Sequence, residues 1–103
     1  MKSCSLAEFK TVLATPPANF YLLDVRTPAE YEDGHVVGAI NSPIGQPFGD
    51  IEKLKSSSVY VYCETHNRSR LAAGLLETAG VSEVTVFDGG MFEWTINDLP
   101  LVT

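Results

Sequence analysis

The sequence predicts an α/β layer sandwich, a mostly parallel sheet with helices on both faces. Three observations carry that prediction. Apolar runs such as "FYLLDV", "SVYVYC" and "EVTVF" recur between stretches of helical period. These runs carry apolar side chains at successive positions, as strands buried on both faces do. Strand and helix signals alternate along 103 residues with no internal repeat, low-complexity tract or linker, which fits one domain over residues 1–103.

Each element has a local reason. Ser5 and Glu8 of "SLAE" form a capping box, so a helix opens at Leu6 with Leu6, Phe9, Val12 and Leu13 on one face. The prolines of "TPPAN" stop it, because neither can continue a helix. "FYLLDV" is a buried strand. In "TPAEYEDG" Thr27 is the N-cap, Pro28 takes the first helical position, Glu30 completes a second box and Gly34 ends the helix. "VVGAINSP" is a short strand ended by Pro43, and residues 44–49 are loop. "DIEKLK" is a short helix capped by Asp50. "SVYVYC" is the clearest strand. "RSRLAAGLLETAG" is the clearest helix, with Ala72, Leu75, Leu76 and Ala79 on its buried face and Gly80 closing it. "EVTVFDGG" supplies another strand and "MFEWTINDL" a last helix.

Composition narrows the function. Hydrophobic residues make up 45% and charged residues 19%, an ordinary globular balance that argues against disorder. A net charge of −6 leaves no basic stripe to neutralise phosphates, so nucleic acid is not an expected partner. No apolar run reaches membrane-spanning length, and "MKSCSLAEF" lacks the apolar core of a secretory signal, so a cytoplasmic location is expected. In that compartment Cys4 and Cys63 are by default free thiols. Two histidines and two cysteines at these spacings match no metal-ligand pattern, and no cofactor is expected.

The stretch "VYVYCETHNRSRLAAGLLETAG" breaks a local rule. A helix N-terminus carries about half a positive charge and favours acidic residues. Here it carries Arg68 and Arg70. Ligands in parallel α/β sheets sit off the carboxyl ends of the strands, which is where Cys63 ends its strand. The loop "CETHNRS" runs straight into the helix, so the backbone N–H groups of Glu64, Thr65, His66, Asn67, Arg68 and Ser69 can curl into an anion-binding nest. The dipole, those N–H groups and Arg68 all favour a thiolate at Cys63. The arginines then make sense if an anion completes the site, either the thiolate or an oxyanion substrate. The bland reading is a buried strand-end cysteine beside solvated arginines. The joint occurrence of cysteine, short loop, Arg68 and helix start favours an active or anion-binding loop.

These residues resemble a known family. "LLDVRTPAEYEDGHVVGAIN", "VYVYCETHNRSRLAAGLLETAG" and "VTVFDGGMFEW" are together similar to the upstream, active-site and closing signatures of single-domain rhodaneses, the thiosulfate sulfurtransferases. The resemblance covers nearly the whole chain. It implies a rhodanese-like three-layer sandwich with five mostly parallel strands. It also implies that Cys63 takes a sulfane sulfur from a small anionic donor such as thiosulfate, forms a persulfide, and passes the sulfur to a thiol or cyanide. The loop has four residues between Cys63 and Arg68, one fewer than cysteine phosphatases of related loop design, which need a wider cradle for phosphate. Two positions depart from the family pattern. Glu64 stands where a basic or neutral residue is common, and if it faces the pocket it opposes an anionic donor. His66 stands where a glycine with positive φ is common, which makes a left-handed residue the expectation there.

The remaining candidates are supporting residues. Asp24 and Arg26 end a strand on the same edge as Cys63; Asp24 is expected to bond loop backbone and Arg26 to pair with Glu30 or a neighbouring carboxylate. His35 is expected to pack and bond locally. For His66 a bond to the substrate and an outward orientation weigh equally. Gly89 and Gly90 are expected to serve a tight turn, Trp94 to pack in the core, and Cys4 to be an uninvolved thiol, with a resolving disulfide to Cys63 the lesser alternative. The function expected is sulfur transfer through a Cys63 persulfide. The alternatives are a rhodanese-like binding module that turns nothing over, and a persulfide carrier serving an acceptor protein.

Overall fold

The computed structural model describes residues 1–103. Its strands are β1 (Lys2–Cys4), β2 (Phe20–Asp24), β3 (Ile40–Asn41), β4 (Ser58–Tyr62) and β5 (Glu83–Phe87). Its helices are α1 (Leu6–Ala14), α2 (Pro28–Asp33), α3 (Ile51–Lys55), α4 (Asn67–Thr78) and α5 (Gly90–Ile96). All five strands lie in one sheet of order β1-β5-β4-β2-β3, and every neighbouring pair is parallel.

The helices divide between the two faces. On one face Leu54 of α3 and Ala72, Ala73 and Leu76 of α4 pack with Val59, Val61, Val84 and Val86. On the other, Phe9 of α1, Tyr31 of α2 and Met91 and Trp94 of α5 pack with Leu22, Tyr62 and Phe87. Alternation along β4 puts Val61 and Cys63 on the first face and Tyr62 on the second. Phe9 stacks on Phe87 at 4.3 Å and meets the edge of Trp94 at 5.7 Å, which gives Trp94 its place in the core.

The caps follow the sequence closely. Ser5 with Glu8 and Thr27 with Glu30 both form reciprocal capping boxes, Pro28 opens α2, and Asp50 caps α3. Gly80, at φ 103°, closes α4 in a Schellman arrangement: its N–H donates to Glu77 O and that of Val81 to Leu76 O. His35 is buried, stacks on Tyr31 at 3.6 Å and bonds Tyr31 O through Nδ1 at 2.8 Å.

Three elements differ from expectation. The N-terminal "KSC" forms β1, an edge strand with no strand signal in its sequence, held by its register against β5. The strand expected through residues 36–43 shrinks to Ile40–Asn41, because Ala39 N donates to Val36 O across a turn with Gly38 at φ 85°. The buried face of α4 is Ser69, Ala72, Ala73 and Leu76, while Leu75 and Ala79 are exposed. The spacing is the expected one, but its first member is a serine turned inward toward Cys63. No helix is long and apolar enough to cross a membrane.

Candidate active site

The strand order reverses between β4 and β2. β4 continues through α4 to β5 on one side, and β2 continues through α2 to β3 on the other. The crevice beyond the carboxyl ends of two such strands is where ligands bind in open α/β sheets. Cys63 follows β4 there, and Val25 and Arg26 follow β2; Val25 N still donates to Tyr62 O at 3.1 Å.

The cysteine loop is held from below by α5. Met91 N donates to Cys63 O and Phe92 N to Glu64 O, both at 2.9 Å. In a planar trans peptide the N–H points opposite the C=O. Pinning those two carbonyls on α5 therefore turns the N–H groups of Glu64 and Thr65 away from it. Gly90 makes this approach possible: at φ 60°, a Cβ on it would lie 2.5–2.6 Å from the carbonyl oxygens of Thr65, Cys63 and Glu64. So Gly90 is a close-packing position under the loop, beyond the tight turn the sequence suggests.

The N–H groups of Glu64, Thr65, His66, Asn67 and Arg68 have no protein acceptor, and the next, on Ser69, reaches Cys63 Sγ at 3.3 Å. The thiol sits 3.4 Å from Ser69 Oγ, which in turn donates to His66 O at 3.1 Å. Cys63 is only 1% exposed and Ser69 wholly buried, whereas Glu64, Thr65, His66 and Asn67 stand outside. The segment between Cys63 and its Ser69 contact therefore leaves five backbone donors without a protein partner, next to a buried thiol at a helix N-terminus. It can stabilise a small anion.

His66 has φ −144°, so no left-handed residue is needed at that place. The sharp turn is achieved with ordinary backbone once the loop carbonyls rest on α5. The His66 ring is exposed and bonds to nothing, which leaves it outward.

Both arginines have carboxylate partners within the chain. Arg68 forks onto Glu30, Nη1 to Oε1 at 2.6 Å and Nη2 to Oε2 at 3.0 Å. Arg70 bonds Asp88 at 3.0 Å and lies half-exposed, tying α4 to the turn before α5. Arg26 does not take Glu30. It grips Asp24 through Nε and Nη2, with 2.7 Å for the shortest contact, and donates from Nη2 to Gly34 O. Burial opposes the Arg26 charge, yet the Asp24 carboxylate bonded to it keeps the guanidinium charged to a higher pH than usual. Asp24, 0% exposed, also accepts the Arg26 backbone N–H at 3.0 Å and the Tyr62 hydroxyl at 2.7 Å. Glu64 Oε1 is 3.9 Å from Arg26 Nη1, a loose contact compared with the others.

Tyr62 buttresses the Asp24–Arg26 pair, a contact that its sequence position conceals. Its hydroxyl donates to Asp24 Oδ2 and accepts Val36 N–H at 3.2 Å, and its ring lies 5.9 Å from the Arg26 guanidinium. Burial, and then the Asp24 charge, push its phenol well above the usual range. Removing the hydroxyl orphans a buried N–H, so Tyr62→Phe is expected to cost about 1–3 kcal/mol of unfolding free energy. Urea denaturation of the two proteins checks this; a loss below about 0.5 kcal/mol would mean the contact is idle.

The Glu30–Arg68 pair leaves a mark on stability. The Arg68 bond, with help from Thr27 and against partial burial, draws the Glu30 carboxyl down from 4.5 to about 2. A depressed carboxyl stabilises the fold above its unfolded value and loses that contribution as pH falls through the folded one. The pair is a third exposed. Solvent screening therefore reduces its worth to about 1 kcal/mol. The stability difference between wild type and Glu30→Gln is expected to be full above pH 4.5 and to vanish as pH approaches about 2. A difference constant from pH 6 (roughly) downward in matched denaturation curves would refute it.

Cys4 and Cys63 lie apart. Cys4 pairs with Phe87 on β1, beyond β5, and packs on the face opposite Cys63. Two strand spacings amount to about 10 Å, past the span a disulfide closes. The alternative of a resolving disulfide is excluded in this fold. Burial, then Glu8 and Asp88, raise the Cys4 thiol to about 11, the opposite of an activated cysteine.

Comparison with known proteins agrees with this fold. The profile of the rhodanese-like domain family matches residues 5–97. The chain is 38% identical over 74 residues to an uncharacterized protein, YqhL, of Bacillus subtilis, covering 71% of this chain and 59% of that one. It is 34% identical over 82 residues to a protein named sulfurtransferase from Allochromatium vinosum, covering 79% and 77%. The crystal structure of a rhodanese-related protein from Thermoplasma volcanium superimposes with TM-score 0.80 at 28% identity, covering 99% of this chain and 98% of that one. The chain spans little more than half the length of several curated relatives it matches, 53% in two cases.

Proposed function

The chain belongs to the rhodanese-like domain family, and from that premise we propose that it is a sulfurtransferase whose nucleophile is Cys63. The observation that carries the proposal is the run of unpaired N–H groups from Glu64 to Arg68 in the loop that joins Cys63 to Ser69, whose own N–H bonds the Cys63 sulfur. The Cys63 thiolate attacks the outer sulfur of a donor. With thiosulfate the S–S bond breaks, sulfite leaves with the bonding electron pair, and Cys63 keeps the sulfur as a persulfide. An acceptor thiolate or cyanide then attacks that outer sulfur and restores the Cys63 thiolate. The unpaired loop N–H groups are donors available to the negative charge carried by the donor and its leaving group. The short four-residue loop supports a sulfur-sized occupant rather than phosphate.

Mass spectrometry tests this directly. Protein exposed to thiosulfate or to an organic persulfide is expected to gain one sulfur on Cys63 and to lose it on addition of cyanide or a thiol. No gain with either donor, or faster hydrolysis of aryl phosphates than sulfur transfer, would overturn the reading.

A second reading, a persulfide carrier for an acceptor protein, draws support from the near-complete burial of Cys63 and from the internal pairing of the arginines. It predicts loading without rapid discharge to small thiols or cyanide, and discharge to a protein cysteine. Cyanide kinetics separate the two.

A further inference from the structure

The arginine nearest the candidate nucleophile is not free to serve an anionic donor. Arg68 lies on α4, on one face of the sheet, and Glu30 on α2, on the other; their two-point contact joins the two helices that follow β4 and β2 at the carboxyl edge. Glu30 is itself fixed. Its Oε1 accepts from Thr27 N at 3.0 Å and Thr27 Oγ1 at 3.1 Å, so a capping box orients it before Arg68 arrives. Both outer guanidinium nitrogens are therefore committed to a carboxylate that cannot swing away without unmaking the start of α2. The second guanidinium on this edge, Arg26, is also engaged, with Nε and Nη2 on Asp24 and Nη1 3.9 Å from Glu64. Across the site two cations face three carboxylates, Asp24, Glu30 and Glu64. A dianion entering here meets a slight excess of negative charge, and the backbone N–H groups alone oppose it.

We propose that Glu30 is a specificity-determining residue that, by holding Arg68 in a two-point ion pair, biases the Cys63 loop against dianionic thiosulfate and toward organic persulfides of low charge. This rests on the sulfur-transfer reading and refines its donor. With such a donor, the Cys63 thiolate attacks the terminal sulfur of R–S–SH. The S–S bond breaks, RS⁻ leaves with the electron pair, and the product is Cys63–S–SH. Charge is one negative on each side, and no oxidant or reductant is consumed. No dianion has to be bound at any stage. Glu30 acts through Arg68 and is a positioning residue.

Glu30→Gln removes the charge and keeps a side chain that can complete the capping box. It is expected to lower the KM for thiosulfate relative to that for an uncharged organic persulfide by roughly five-fold at low salt, because freeing one guanidinium near a partly exposed site is worth that much. The gain is expected to shrink as salt rises. In the double variant Glu30→Gln, Arg68→Gln the gain disappears, since no arginine is left to release. Far-ultraviolet circular dichroism accompanies each variant, and a Glu30→Asp variant, which keeps the charge but shortens the reach, provides a second route to the same release if the glutamine protein is poorly folded. An unchanged KM ratio in folded Glu30→Gln and Glu30→Asp proteins would overturn the proposal. So would a gain that survives in the double variant, because Glu30 would then act by its own charge. Absence of sulfur on Cys63 in the wild-type protein with either donor would instead overturn the sulfur-transfer reading beneath it.

Discussion

Cys63→Ser is expected to reduce sulfur loading and transfer to background while leaving the fold intact. A serine oxygen cannot hold a sulfane sulfur as a persulfide, so no fraction of the double displacement survives. The fold should tolerate the change because the two are nearly isosteric and the donor and acceptor already around Sγ, Ser69 N–H at 3.3 Å and Ser69 Oγ at 3.4 Å, suit a hydroxyl as well. A stability change within about 1 kcal/mol is expected. Cys4→Ser, on the far face of the sheet, should alter transfer little. Turnover retained in Cys63→Ser, or lost in a folded Cys4→Ser protein, would remove Cys63 from its assigned role.

Gly90→Ala is expected to be the most destabilising of the single substitutions considered, by about 3–5 kcal/mol. Two costs combine. An alanine at φ 60° carries left-handed strain of about 1–3 kcal/mol. Its Cβ would also fall 2.5–2.6 Å from three carbonyl oxygens that are backbone and cannot rotate aside. Relief requires the loop and α5 to separate, which lengthens the Met91 N–H and Phe92 N–H bonds to Cys63 and Glu64. In a domain of this size the loss corresponds to a fall in Tm of roughly 15 °C or more. Gly38→Ala isolates the first cost, because Gly38 has φ 85° and open space around its Cβ position. Thermal unfolding of both variants separates strain from collision. If Gly90→Ala lies within about 1 kcal/mol of Gly38→Ala, the close approach is not what holds the loop. Sulfur loading in whatever Gly90→Ala protein remains folded should also fall, since the direction of the Glu64 and Thr65 N–H groups depends on where those carbonyls are pinned.

The parts of the fold legible in sequence are those decided within a few residues. Ser5 and Glu8, Thr27 and Glu30, and Pro28 announce helix starts by chemistry confined to one turn, and the structure has each of them. "SVYVY" is a central strand because its valines pack on one face and its tyrosines on the other. What eluded the sequence depends on distant partners. β1 is three residues long and polar on its exposed side; only β5 makes it a strand. The inward face of α4 begins with Ser69, which an apolar count omits. The site was legible as a loop, with cysteine, spacing and helix start in one stretch. Its electrostatics were not, because the contacts from Arg68 to Glu30 and from Tyr62 to Asp24 each span 38 positions. Glu30 stood out locally as a capping residue and as a possible partner for Arg26 four positions away, and nothing in its neighbourhood signals that Arg68 is the partner it takes.

The separation of Cys4 from Cys63 has a kinetic meaning. A protein with two thiols within reach discharges a persulfide by itself, expelling hydrosulfide as a disulfide closes, at a rate independent of concentration. Here the strand between β1 and β4, and the sheet plane itself, remove that route. If Cys63 carries sulfur as proposed, no thiol within these 103 residues can take it, and discharge needs an acceptor thiol from outside this domain. For a separate acceptor molecule the expected kinetics are second order, so the lifetime of a loaded Cys63 would lengthen in proportion as that acceptor is diluted.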